Sequence, residues 1–532
     1  MLRTFIFVLL VTFVTSKGVP SSEENSRFWM KVGRDALKTR LDSENVHPRF
    51  LKAKNIIIYL GGGMGMTTLT ASRIYKGQLK NQTGEEESLV FDDFPYTGLA
   101  KVYSTDKQVP DASSTATAIF TGSKTKQSAV SMDITCDYKD SKKGALSTFM
   151  EWAQAVGKRT GFVTTTRITN APLATLYAKL CNKDWECDSD IPEEYRGIYK
   201  ESGLQFLENG HRFNVVLGGG LSSMGAYEAN ETSKFKFPSS FPEACKRSDK
   251  RNLVEEWTKL DGNRAFVKSK DDLFKVDLKK TDHLLGLFRN GHLSYGISRE
   301  DHEPSLEEMT EKAIEILNRP NSNGFVLLVE NGQIDHAHHD NLARVALSEV
   351  LELDKAVKMG IERTDDDETL IIVTADHSQP LTFNGSPDRG NDILGTTNNP
   401  AYETLSYANG PGFNEHRASL NWNGTTYSNG TWKSVNELNR TSLAHIHLST
   451  IPLTVSTHTG EDVPVYARGP GSSLIRGVFE QNYIGHVMSY VGCMGPAQDV
   501  DDECWLNRNG GEKVSFNIVL LLVFSLVVIR FS

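Results

Sequence analysis

The sequence predicts an α/β fold in which a mostly parallel central sheet is flanked by helices. Short β-branched, apolar runs recur at 55–60, 161–166, 213–217, 324–330, 369–374 and 463–467. They are nearly continuous in apolar residues instead of alternating, the mark of strands buried on both faces. Helical periodicity lies between them, most clearly at 305–317 and 342–359. Such alternation of strand and helix lays successive strands parallel in one sheet. The 532 residues are 39% hydrophobic and 23% charged, ordinary globular usage, which excludes a wholly disordered or fibrous protein. A formal net charge of −9 argues against a nucleic-acid scaffold, which needs a basic face.

Taken in order, the chain begins with Arg3, an apolar run at 4–14 and a Val14-Thr15-Ser16 cleavage site. Residues 1–16 therefore read as a secretory signal peptide. At the other end Asn509-Gly510-Gly511 are followed by a polar spacer and an apolar stretch at 516–529. That stretch falls short of the roughly 20 residues that span a bilayer. Small residues, spacer and terminal tail form the GPI-anchor pattern, with 510–532 as the removed propeptide and Asn509 as a candidate attachment residue. The expected location is the cell surface, on the outer leaflet of the plasma membrane. Sequons at Asn81, Asn230, Asn384, Asn423, Asn429 and Asn439 agree with that route, although Pro387 follows the Ser of the Asn384 site. Cys493 and Cys504 are spaced to close a small loop, and Cys181 with Cys187 could do the same. Cys136 and Cys245 then remain, their pairing open. The stretch 384–450 is rich in Asn, Gly, Thr and Ser with poor periodicity. It reads as an inserted, glycosylated subdomain, because strand pattern resumes after it.

Chemistry concentrates at predicted strand ends, where open α/β sheets bind ligands. One run ends in Glu330-Asn-Gly-Gln-Ile-Asp335-His336-Ala-His338-His339. Asp335 and His339 are i and i+4, so on a helix they share a face and can grip one ion. The next run ends in Thr374-Ala-Asp376-His377-Ser378, and a distant His458 sits in Thr457-His-Thr-Gly-Glu-Asp462. Mixed Asp and His ligands suit zinc, and a carboxylate such as Glu330 offers a harder, magnesium-type position.

Over residues 48–500 the chain resembles the animal alkaline phosphatases. The resemblance rests on KNIIIYLGGGMGM from Lys54, VPDASSTATA from Val109, GFVTTTR from Gly161, VLGGG from Val215 and LLGLF from Leu284. It continues through Glu330 to His339, Thr374 to Ser378, and THTGEDVPVYARGP from Thr457, all in family order. It implies a dimeric phosphomonoesterase using two zinc ions and one magnesium, a GPI anchor, and a crown-like insertion that would correspond to 384–450. By resemblance, Asp335, His339 and His458 match the first zinc site, Asp376 and His377 the second, and Glu330 the magnesium site. Asp111 matches the residue that precedes the family's nucleophile.

The sequence departs from the family at five positions. Gly62 stands where the family carries an Asp bridging the second zinc and the magnesium. Ala112 stands at the nucleophile Ser, Asn170 and Pro172 at two positions near the magnesium, and Lys183 at the phosphate-clamping Arg. A methyl group cannot attack phosphorus. Shifting to Ser113 or Ser114 would swing the attacking group about 100° around the helix. Lys183 keeps a charge but loses the two-pronged guanidinium fork. The expectation is a GPI-anchored surface glycoprotein of this family that is catalytically impaired, with the first zinc site retained, the second weak and the magnesium site poor. Such a protein would hold phosphate-bearing ligands. The alternative is an active enzyme hydrolysing phosphate monoesters with zinc and magnesium. No nucleic-acid partner is expected.

Overall fold

The computed structural model describes residues 25–502 and Cys504, apart from short stretches at 45–46, 241–243, 321, 398–400, 418–420, 423–426, 429–430 and 436–437. The signal-peptide and anchor segments, with Asn509, lie outside the described residues, as do the sequons at Asn423 and Asn429. Among the described residues, no helix is long and apolar enough to cross a membrane.

Eight strands run in order from β1 (Asn55–Gly61), β2 (Tyr96–Lys101), β3 (Arg159–Arg167) and β4 (Val215–Gly219) to β5 (Arg264–Val267), β6 (His283–Leu287), β7 (Phe325–Asn331) and β8 (Thr369–Ala375). A small sheet follows, built from β9 (Leu381–Phe383), β10 (Leu405–Gly410) and β13 (Ser449–Pro452), with the short pair β11 (Asn421–Trp422) and β12 (Tyr427–Ser428) beside it in sequence. The chain then returns through β14 (Val463–Arg468) and β15 (Gly477–Glu480). The ten-stranded main sheet has the order β15-β2-β14-β8-β1-β7-β3-β4-β6-β5. Every pairing in it is parallel except the two made by β14. The predicted fold class therefore holds.

The central strands explain themselves. β1, β7 and β8 are buried at every residue, as a strand covered on both faces must be, and their Ile, Val and Leu side chains fill the core on either side of the sheet. The two predicted helices form at Leu306–Leu317 and Ala343–Glu362. The first opens on a reciprocal cap in which Ser305 accepts from the Glu308 backbone N–H and Glu308 accepts from the Ser305 N–H. Both pack against each other on the sheet.

β1 lies between β7 and β8, with Leu60 opposite Glu330 on one side and Thr374 on the other. On the far side of β7, Thr164 of β3 also pairs with Glu330. The carboxyl ends of four neighbouring strands thus finish together in the middle of the sheet. The region 381–452 carries the small sheet and its own apolar cluster around Leu381, Ile393, Leu394, Leu405 and Tyr407.

The disulfides correct one expectation. Cys493–Cys504 is present, but Cys181 pairs with Cys136 and Cys187 with Cys245. Nearness in sequence did not decide the partners: Cys181 and Cys187 flank a buried Trp185, and the fold carries each to a different segment.

Candidate metal centre at the sheet's carboxyl edge

Three segments converge beyond β7 and β8. The helix Gln333–His339 begins two residues after β7 ends, so Asp335 and His339 lie one turn apart and face the same way. Asp335 Oδ2 is 3.1 Å from His339 Nε2. His458, on the loop before β14, brings its Nε2 to 3.1 Å from His339 Nε2 and 3.8 Å from Asp335 Oδ1. His377, just past β8, stacks its ring on His458 at 3.5 Å between centroids, with Nδ1 4.0 Å from Asp335 Oδ1. One ligand atom from each of Asp335, His377 and His458 lies within 4.8 Å of the others.

The hydrogen bonds fix the tautomers. His339 Nδ1 donates to the Ser456 carbonyl at 2.5 Å, and His458 Nδ1 donates to the Pro110 carbonyl at 2.9 Å. Each ring therefore turns its Nε2 lone pair inward, and two such nitrogens face each other at 3.1 Å. Bare lone pairs repel at that distance, so a proton or a cation must lie between them. Two nitrogens bound to zinc at about 2.1 Å with tetrahedral geometry stand about 3.4 Å apart. His377 Nε2 is buried 3.2 Å from Asp376 Oδ2 without forming a hydrogen bond to it, a pair that a shared cation would satisfy. The donor set of Asp335, His339 and His458 thus fits a zinc ion, with Asp376 and His377 beside it.

Charge in the cluster points the same way. Burial would raise the Asp335 carboxyl, but His339, His458 and His377 outweigh burial and hold it well below the usual carboxylate range. Burial and the nearby Asp335 charge push Asp376 up to about 7. Burial pushes Glu330 up to about 8 despite hydrogen bonds from Thr164 and Thr166. Crowded carboxylates that resist ionising are what a bound cation relieves.

Glu330 sits at the end of β7, just before the helix that carries Asp335. Its Oε2 accepts from the Thr164 hydroxyl and from Thr166 Oγ1, the latter at 3.1 Å. The sequence places these threonines in a strand motif but gives them no role at the site. The signal was present in the run Thr164-Thr165-Thr166, whose alternate members share one face of β3. Gln379 was missed as well; its Nε2 donates to Asp335 Oδ1 at 2.6 Å.

The five positions expected from the resemblance to differ from the family are distributed differently. Gly62 lies in the turn after β1, and a Cβ added there would come 3.1 Å from Asp335 Cβ and 3.3 Å from Gly332 Cα. The neighbouring Gly63 takes a positive φ of 65° and donates its N–H to Asp376 Oδ1 at 3.0 Å. The turn therefore points position 62 at the metal cluster while position 63 needs glycine. Ala112 is the first residue of the helix Ala112–Thr121, capped by Asp111. Asp111 Oδ1 accepts from the Ser114 N–H at 3.0 Å, and Oδ2 accepts from Ser113 Oγ at 2.9 Å and the Ser128 N–H at 2.8 Å. Ser114 Oγ donates to the Asp111 carbonyl at 2.9 Å. Both serines are buried. Asn170 and Pro172 lie in the turn after β3, before the short helical turn Leu173–Leu176. The structure does not bring Lys183 into the cluster: its ammonium pairs with Asp184 at 2.5 Å, with about a third of the side chain exposed.

A mostly parallel α/β sheet with a histidine–carboxylate cluster at its carboxyl edge is a fold and site able to hold metal ions. The family model described as alkaline phosphatase matches residues 53–494. The chain is 51% identical over 513 residues to alkaline phosphatase 4 of Drosophila melanogaster, covering 93% of this chain and 86% of that one. It is 36% identical over 504 residues to the membrane-bound alkaline phosphatase of Bombyx mori, covering 90% and 88%. The fold is shared with the alkaline phosphatase of the Antarctic bacterium TAB5, at a TM-score of 0.57 and 21% identity over 84% of this chain and 99% of that one. The chain belongs to the alkaline phosphatase family.

Proposed function

We propose that this chain is a cell-surface member of its family in which phosphate-ester hydrolysis is impaired and one zinc site is kept. One observation carries the reading: position 112 offers a methyl group, and the two hydroxyls next to it are already committed to the Asp111 cap. Freeing either hydroxyl would break its hydrogen bond to Asp111. Gly62 supplies no carboxylate between Asp376 and Glu330, and Lys183 answers to Asp184. Asp335, His339 and His458 would hold the retained zinc. When bound, that ion supplies Lewis acidity and a positive field for phosphate oxygens. The chain's own residues orient it: Ser456 and Pro110 fix the two imidazoles, and Gln379 fixes Asp335. Phosphate monoesters, or other phosphate-bearing molecules, are the ligands this field suits.

The GPI anchor, the outer-leaflet location, the homodimer and the glycans belong to the same proposal. The similarity to a relative named as membrane-bound supports the anchoring. A second reading, an active phosphatase using zinc and magnesium, is favoured by the intact Glu330–Thr164–Thr166 group and the histidine–aspartate cluster.

Turnover of p-nitrophenyl phosphate by the native chain decides between them when compared with the repair Gly62→Asp/Ala112→Ser/Asn170→His/Pro172→Ser/Lys183→Arg. Loss of the nucleophile alone removes about 4 kcal/mol of barrier lowering, so the native chain should be slower by at least about 10³-fold. Equal rates, or a covalent phosphoenzyme trapped on the native chain, would overturn the impaired reading.

A further inference from the structure

A second histidine–carboxylate cluster lies in the 381–452 region, apart from the centre at the edge of the main sheet. We infer that Glu403, His445 and His447 form an additional binding site for a divalent transition metal of the zinc class. One ligand atom from each of the three lies within 4.8 Å of the others. His445 Nε2 is 2.5 Å from Glu403 Oε1. The rings of His445 and His447 are 4.7 Å apart between centroids.

The decisive feature is His447. It is 2% exposed, yet both its ring nitrogens lack a hydrogen-bond partner. A neutral imidazole always carries one donor and one acceptor. Burying both unmet is costly, and natural proteins rarely leave such groups without cause. A Glu403–His445 hydrogen bond alone would account for two members of the cluster and leave the third unexplained. A shared cation accounts for all three.

The surroundings are built as metal sites are built. Glu403 Oε2 is held by the Leu448 N–H at 2.8 Å. His416 Nε2 donates to the Ile446 carbonyl at 2.8 Å and lies 3.9 Å from Glu403 Oε2. That bond holds Ile446, the residue between the two histidines, from outside the first ring of ligands. His445 and His447 are two residues apart in the stretch leading into β13, the spacing that puts both side chains on one face of extended backbone. Two imidazoles and one carboxylate are of the donor types that zinc takes.

The position gives the ion a structural task. Glu403 precedes β10 and the histidines precede β13, and these strands pair side by side in parallel. An ion there ties two segments 42 residues apart in sequence. The tie reaches the first centre: the His447 N–H donates to the Asn341 carbonyl at 2.9 Å, two residues beyond His339.

The test counts zinc per chain in dialysed, secreted full-length protein by elemental mass spectrometry. The native chain is expected to hold one ion more than His445→Ala/His447→Ala. A first-centre variant, Asp335→Asn/His458→Ala, should also fall by one, and the combined variant by two. Equal zinc in the native chain and in His445→Ala/His447→Ala overturns the proposal. If that variant is not secreted, crystals of the native protein with zinc present decide the matter. An anomalous peak at the zinc edge among Glu403, His445 and His447 supports the site, and a map without it overturns it. Neither readout depends on turnover, so an active enzyme would refute the reading of the first centre and leave this site standing.

Discussion

Placing a carboxylate at position 62 should make the protein depend on metal for its stability. In Gly62→Asp the new Cβ meets Asp335 Cβ at 3.1 Å and Gly332 Cα at 3.3 Å, so its neighbours must yield by a few tenths of an ångström. Gly62 is not among the glycines with positive φ, so the backbone itself accepts an aspartate. Near pH 7 the charge it meets comes chiefly from Asp335, since Asp376 is pushed up to about 7 and Glu330 to about 8. One like charge at about 5 Å, in an effective dielectric of about 20, costs about 3 kcal/mol. The new group can evade part of this by staying protonated, and mild overpacking adds about 1 kcal/mol. Stripped of metal, the variant should therefore be less stable than the native chain by about 2–4 kcal/mol. A metal present at about 100 times its dissociation constant returns about 2.7 kcal/mol. Thermal unfolding of both proteins after chelation, and again with zinc and magnesium, measures the effect. The midpoint of Gly62→Asp should start lower and rise further on adding metal. If the stripped variant melts with the native chain, or if magnesium moves both midpoints equally, position 62 does not face the metals as argued.

Burial pushes the Glu349 carboxyl up to about 7 from its usual 4.5. The folded state then binds more protons than the unfolded one between those values, so stability falls as pH rises from about 4.5 to about 7, by about 3 kcal/mol from this residue. Glu349→Gln should flatten that part of the stability–pH curve whatever its absolute stability, and an unchanged slope would exclude Glu349 as the source. Asp111→Ala removes the acceptor of three hydrogen bonds at the start of the helix Ala112–Thr121. It should cost about 2–3 kcal/mol in chemical unfolding, with Asp111→Asn costing visibly less; equal midpoints for all three proteins would contradict the capping role.

The sheet was legible because its strands are buried on both faces and write that burial as unbroken apolar runs. β1, β7 and β8 begin within one residue of where those runs place them. β2, β5, β6 and β15 were missed. They flank the centre of the sheet, and β2 and β15 mix exposed with buried residues, which short windows do not separate from loops. The metal cluster was legible for a different reason. Asp335 and His339 announce one helical face through their spacing, and Asp376 and His377 close an apolar run. What spacing cannot give is convergence between distant segments. Thr164 meets Glu330 across a strand pairing, His458 meets Pro110 across most of the chain, and Glu403 meets His445 only through the β10–β13 pairing. The expected Cys181–Cys187 pairing failed for that reason too, whereas Cys493–Cys504, a local loop, was legible.

The side chains assembled in this centre also brace the fold, whereas those at positions 62, 112 and 183 do not. His458 fastens the loop at Pro110, His339 fastens the loop at Ser456, and Asp376 receives the N–H groups of Gly63 and His377. By contrast, the Ala112 side chain is a methyl group, Lys183 touches its sequence neighbour near the surface, and Gly62 contributes a backbone N–H to the Asn331 carbonyl. Substitution at Ala112 or Lys183 leaves the architecture standing, and Gly62→Asp disturbs it only through the charge and atoms it adds. Substitution at the first set cuts a tie between distant segments before any question of catalysis arises. The contrast can be measured without substrate. His458→Ala loses a hydrogen bond and the stacking against His377, a loss of about 2–3 kcal/mol even in chelated protein. Ala112→Ser, at a half-buried first helical position, should stay within about 0.5 kcal/mol of the native chain. Comparable destabilisation by the two would mean that bracing and reactivity are not separable in this centre, and the division drawn between its residues would fall.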